Sequence, residues 1–87
     1  FVLPHMGWND IIITQDVKLL KNVLNKADFY FVHSFMVKTS PQYIAGETNY
    51  GIDIPAVVFN GNIYGVQFHP EKSQKWGEVV LNNFIGL

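Results

Sequence analysis

His69 and Glu71 flank Pro70 at the end of the apolar run 63–68, within Tyr64-Gly65-Val66-Gln67-Phe68-His69-Pro70-Glu71-Lys72-Ser73. Proline has no N–H and fixes its own φ, so a strand through this run must end at or before His69. An imidazole then stands at the carboxyl edge of a sheet, with a carboxylate two residues on across a rigid turn. In a regular strand the two side chains would share a face; across the turn, Glu71 can fold back onto the imidazole. A carboxylate on one ring nitrogen fixes the tautomer and leaves the other nitrogen to take a proton. That is the base-and-orienter half of a nucleophilic triad.

The nucleophile is less evident. The 87 residues contain no cysteine, so neither a thiolate nucleophile nor a disulfide nor a thiolate metal site can come from them. Ser34, Ser40 and Ser73 lack the flanking glycines of a nucleophile elbow. His5 or His33 could join His69 and Glu71 in a two-histidine, one-carboxylate metal site, but nothing in the spacing demands it, and no metal site is assigned. Taken alone, His33 reads as a buried histidine satisfied by backbone, Trp8 as a core or lid aromatic, and His-Pro-Glu as a structural turn.

Several elements must position this pair. Residues 53–59 form a strand with Pro55 near its start, and Asn60-Gly61 is the pair a type I′ hairpin prefers. The strand therefore returns antiparallel into 63–68 and delivers His69. Residues 29–37 are aromatic and β-branched with almost no charge, the pattern of a strand buried on both faces. Residues 11–13 read as a strand preceded by turn residues, and 43–48 as a short, edge-like strand. Val17, Leu20, Val23 and Leu24 predict a few turns of amphipathic helix, capped by Thr14 or Asp16. Trp76, Val79, Val80 and Phe84 predict a final helix packed on the sheet and capped by Ser73, with Gly77 marking a close approach.

Composition bounds what the chain can be. Its length allows one small domain, burying about 60–65% of the surface its unfolded form exposes. With 48% hydrophobic residues, 15% charged and a net charge of −1, it is globular and suits neither nucleic acid nor an anionic membrane as main partner. It has no apolar run long enough to span a bilayer and no visible signal peptide. A start at Phe1 points to processing or to a fragment.

Gly65-Val66-Gln67-Phe68-His69-Pro70-Glu71-Lys72-Ser73 resembles the signature that closes the catalytic domain of class I, triad-type glutamine amidotransferases. Pro4-His5-Met6-Gly7-Trp8-Asn9 and Tyr30-Phe31-Val32-His33-Ser34-Phe35 are similar to the members that form the glutaminase subunit of imidazole glycerol phosphate synthase. The resemblance covers essentially the whole chain but only the second half of such a subunit. It implies the C-terminal part of a flavodoxin-like, three-layer α/β domain, a mixed sheet with flanking helices. The half bearing the cysteine would lie outside residues 1–87.

By resemblance, His69 is the base and Glu71 its orienter, and the main chain at Ser34 and Phe35 helps hold glutamine. Phe35 stands where tyrosine is common, a change of little consequence for a backbone contact. Trp8, Asn9, Tyr30 and Lys72 match positions near the contact with a barrel-shaped synthase subunit that receives the ammonia. No cofactor is implied, and the compartment is the cytoplasm. The chain alone is expected to lack glutaminase activity and to self-associate unless complemented. Two alternatives stay open: an amidotransferase of a surface-sugar pathway, and a small α/β binding module without catalysis.

Overall fold

The computed structural model describes residues 2–87, the side chains of residues 2–4, 34 and 35 excepted. Six strands and one α-helix follow in order: β1 (Val2–Asp10), β2 (Ile12–Ile13), β3 (Asp28–Phe35), β4 (Ile44–Asn49), β5 (Asp53–Asn60), β6 (Ile63–Val66) and α1 (Gln74–Ile85). Single 3-10 turns occupy Lys18–Leu20, Pro41–Tyr43 and Pro70–Lys72. β1 pairs with β3, and the other four strands form a second sheet in the order β2-β4-β5-β6. Each pairing is antiparallel. Strands with a C-terminal helix make the α/β class expected from the sequence.

The core lies between these sheets and α1. Phe29 and Phe31 from β3, Ile11, Leu19, Leu20, Ala56, Val57, Phe68 and Val80 are all buried. Small side chains let β4 approach closely: Ala45 and Gly46 are buried, and a Cβ on Gly46 would touch Val57 at 3.4 Å. β4 is therefore an interior strand, not an edge. Its Thr48 is absorbed rather than solvated, since the buried hydroxyl donates to the Asp10 carbonyl at 2.8 Å.

Four other expectations change in detail. The helix predicted near 16–25 is a single 3-10 turn at Lys18–Leu20 whose N-cap residue, Val17, makes no side-chain cap. Asn22 and Lys26 adopt φ of 67° and 69°, which no α-helix accommodates. β3 buries one face only: Phe29 and Phe31 point inward, whereas Val32 on the opposite face is exposed.

The β5–β6 hairpin closes through Gly61-Asn62, one residue later than read from the sequence, with Asn60 already paired to Ile63. Gly61 alone in that loop has positive φ, 61°, which is the type II′ requirement rather than that of I′. In α1 the buried positions are Gly77 and Val80, with Trp76 and Val79 partly covered. Phe84, expected on the packed face, is exposed.

The chain changes sheets just before the His-Pro-Glu turn. Gln67 still donates its amide to Ala56 of β5 at 2.9 Å. Phe68 then forms an antiparallel bridge with Phe31, and the His69 amide donates to the Tyr30 carbonyl at 2.9 Å. The Phe68 ring lies 4.1 Å from that of Phe29 and meets Phe31 edge-on at 5.9 Å. The residue before His69 is thus anchored in the aromatic centre of the core.

Candidate active site

The turn after Phe68 folds Glu71 back onto the imidazole. His69 Nδ1 and Glu71 Oε2 are 3.1 Å apart. An ionised carboxylate only accepts, so Nδ1 carries the proton and donates it to Glu71, leaving Nε2 as the accepting nitrogen. Glu71 is held below the usual carboxylate range, first by this hydrogen bond from His69 and then by a backbone one. Both side chains reach solvent, at 39% and 59% exposure, so the pair sits at the surface and not in a sealed pocket. The arrangement can take a proton at Nε2 and stabilise the imidazolium that results.

Behind the pair lies a hydrogen-bonded knot that sequence reasoning missed. Ser73, read from the sequence as a helix cap, makes no cap hydrogen bond. Its buried hydroxyl donates to the His69 carbonyl at 2.6 Å and accepts the Tyr30 amide at 2.9 Å. The helix then presses on the turn at Gly77, where an added Cβ would fall 1.9 Å from the Pro70 carbonyl oxygen. The lone glycine within a helical pattern was the sequence signal for this contact; nothing in the sequence announced the Ser73 bridge.

The residues assigned to a partner contact fall into two groups. Trp8 and Tyr30 are register partners across β1 and β3, their rings meeting edge-on at 5.7 Å, and Trp8 remains 49% exposed. Lys72 lies on the exposed 3-10 turn beside Glu71, and its amide donates to the His69 carbonyl at 3.1 Å. Asn9 is occupied internally: its Nδ2 donates to the Asn49 carbonyl at 2.7 Å and its Oδ1 accepts the Asp10 amide at 2.9 Å. The backbone of Ser34 and Phe35 closes β3, but their side chains lie outside the described residues.

His5 and His33 come together away from the His69 turn. Their rings share a hydrogen bond of 3.0 Å between Nδ1 of His5 and Nε2 of His33. His5 is buried between the faces of Phe31 and Tyr50, at centroid distances of 4.6 and 4.3 Å. Burial, and then the neighbouring His33, hold its pKa below the ordinary value. Among the described residues no group of three or more histidine, cysteine or carboxylate side chains is placed to hold a metal ion. No helix among them is long and apolar enough to cross a membrane.

Known proteins place this geometry in context. The profile of the family "Glutamine amidotransferase class-I" matches residues 2–86. An imidazole glycerol phosphate synthase subunit HisH from Methanocaldococcus jannaschii is 45% identical over 85 residues, covering 98% of this chain and 43% of that protein. The subunit HisH 1 of Campylobacter jejuni is 46% identical over 85 residues, covering 98% and 42%. The HisH subunit of Buchnera aphidicola is 47% identical over 85 residues, covering 98% and 43%. The chain thus spans less than half the length of these relatives. Its match to the family nevertheless runs through both sheets, the His-Pro-Glu turn and the helix behind it, and the chain belongs to the class-I glutamine amidotransferase family.

Proposed function

We propose that this chain supplies the base and orienter of a glutaminase, with glutamine as substrate and ammonia passed to a synthase subunit that makes imidazole glycerol phosphate. The observation that carries the reading is the 3.1 Å contact between His69 Nδ1 and Glu71 Oε2 at the end of a strand. Support for the acceptor comes from the relatives, which are subunits of imidazole glycerol phosphate synthase. On this reading the protein serves histidine biosynthesis in the cytoplasm.

The steps follow from what each group can do. A cysteine thiolate, supplied from outside these 87 residues, attacks the carboxamide carbon of glutamine. Backbone donors stabilise the oxyanion, with the Ser34–Phe35 main chain helping to hold the substrate. The His69 imidazolium gives its proton to the departing ammonia, leaving a thioester. Neutral His69 then takes a proton from water as it attacks the thioester; glutamate leaves and the thiolate is restored. Glu71 keeps Nδ1 protonated throughout and offsets the imidazolium charge.

The partner surface on this reading is the exposed side of β1 and β3, where Trp8 and Tyr30 lie beside Met6 and Val32, together with Lys72 on the 3-10 turn. Asn9 contributes there by holding β1 to the β4–β5 turn. Excluding water from that contact keeps ammonia from being lost before it reaches the acceptor.

The test is glutamine hydrolysis by the longer polypeptide that carries both this segment and the cysteine, assembled with its synthase. His69→Ala is expected to lower kcat by about 10²–10⁴-fold, the range general acid–base catalysis contributes. Residues 1–87 alone are expected to release no glutamate. Hydrolysis unaffected by His69→Ala would remove the histidine from the reaction.

A further inference from the structure

We infer that Ser73 is a positioning residue for the His69 imidazole, acting through the main chain of the His-Pro-Glu turn; this rests on His69 being the base proposed above. The Ser73 side chain is 1% exposed and makes two hydrogen bonds that both concern His69's setting. Its hydroxyl donates to the His69 carbonyl at 2.6 Å and accepts from the Tyr30 amide at 2.9 Å. The His69 amide in turn donates to the Tyr30 carbonyl at 2.9 Å. The peptide groups on both sides of the His69 Cα are therefore tied to one residue of β3, one directly and one through Ser73. Rotation about either backbone torsion of His69 would break a tie.

Only a small group that is donor and acceptor at once can bridge an amide and a carbonyl in this space, which is the property of a hydroxyl. Two further features show that the serine is held for this purpose. It occupies the N-cap position of α1 yet does not spend its hydroxyl on a helix amide. The next residue, Gln74, adopts φ of 53°, a left-handed conformation that side chains other than glycine and asparagine seldom take, so the turn is held by its surroundings. Gly77 supplies the seat: a Cβ there would lie 1.9 Å from Pro70 O and 2.9 Å from the Ser73 Cβ, so α1 closes on the turn with no slack.

Proton transfer requires the imidazole within hydrogen-bond reach of the reacting group, and a misplacement of about 1 Å can cost 10²-fold in rate. Glu71 governs which nitrogen is protonated; Ser73 governs where the ring is.

The experiment is glutamine hydrolysis by the full-length polypeptide with its synthase, at a temperature where each variant is folded by circular dichroism. Ser73→Ala is expected to lower kcat by about 10²-fold with KM for glutamine unchanged. Ile54→Ala, a core truncation on β5 where it pairs with Thr48, should lose stability while kcat holds, so a merely structural role for Ser73 would give that pattern instead. Ser73→Cys, similar in shape but a weak donor and acceptor, should fold and give an intermediate kcat, which keeps the test decisive if the alanine variant does not fold. In a Glu71→Gln background, Ser73→Ala should cost less than in the parent, because both act through one imidazole. Unchanged kcat in Ser73→Ala or Ser73→Cys, with His69→Ala inactive, would overturn the positioning role alone. Unchanged kcat in His69→Ala would overturn the base assignment and this inference with it.

Discussion

The ring of Phe68 lies 4.1 Å from the ring of Phe29, and through this contact the strand leading to His69 leaves its own sheet and joins the other. The hairpin partner of β6 is β5, but the position of the imidazole is set by β3. Fluctuation of the exposed β5–β6 turn therefore need not move His69. The arrangement predicts that Phe68→Ala is among the most damaging single changes. A buried phenylalanine truncated to alanine costs about 3–5 kcal/mol, from lost transfer energy and the cavity left behind. A urea titration should show that loss at unchanged slope; a loss under about 1 kcal/mol would mean that the aromatic cluster is not the anchor.

The His69–Glu71 contact has a titration signature. Because the hydrogen bond from His69 is the largest influence on Glu71, its carboxyl is held below the ordinary value, and His69→Ala should return it upward. The sign follows from linkage: a depressed carboxylate stabilises the fold above its unfolded pKa, and that contribution is lost as pH falls through the lowered folded value. Carbon-detected NMR titration of Glu71 in the parent and in His69→Ala measures the difference. Identical midpoints would show that the two side chains do not meet in solution. At neutral pH the carboxylate is ionised in either case.

How much of this was legible beforehand depends on whether the information was local. The apolar run 63–68 followed by Pro70 marks both a strand end and the place of its chemistry, and the Asn-Gly pair marks a hairpin to within one residue. Repeating apolar positions found α1, since its pattern is long enough to average over Phe84. The stretch Val17, Leu20, Val23, Leu24 was too short for that. Tertiary burial satisfies Leu20 and Val23 in an irregular path that also buries Leu19, while Leu24 stays exposed. β4 was misjudged as an edge because its polar side chains are paid for elsewhere in the fold, Thr48 at the Asp10 carbonyl being the example. Ser73 and Asn83 carry long-range hydrogen bonds, to the Tyr30 amide and to the Leu19 and Lys21 carbonyls, that no periodicity encodes.

Gly77 sets two effects against each other. In an exposed helix, replacing glycine with alanine gains about 1 kcal/mol of propensity. Here the new Cβ would lie 1.9 Å from a backbone oxygen, a contact relieved only by shifting α1 or the turn. Overpacking of this kind costs about 1–3 kcal/mol, and backbone on the far side of the contact leaves no flexible side chain to yield. The net prediction for Gly77→Ala is destabilisation, read as a lower denaturation midpoint. A higher midpoint would mean that the helix does not seat on Pro70.

The buried histidine pair predicts an acid-sensitive fold. His5 is stacked between Phe31 and Tyr50, and its pKa is lowered first by burial and then by the charge of His33. Between the lowered folded value and the ordinary value of 6.5, the unfolded chain binds more protons at this site than the native one. Stability should therefore be full above 6.5, fall as pH drops through the window, and level off below the folded pKa. One proton gives at most about 1.4 kcal/mol per pH unit. His5→Phe keeps an aromatic ring in the stack but cannot take up a proton. Urea titrations from about pH 7.5 to about pH 5.5, where histidine is the side chain that titrates, should show a flatter dependence in this variant than in the parent. Equal slopes in the two proteins would mean that His5 is protonated as readily in the fold as outside it, and that the stack does not exclude water.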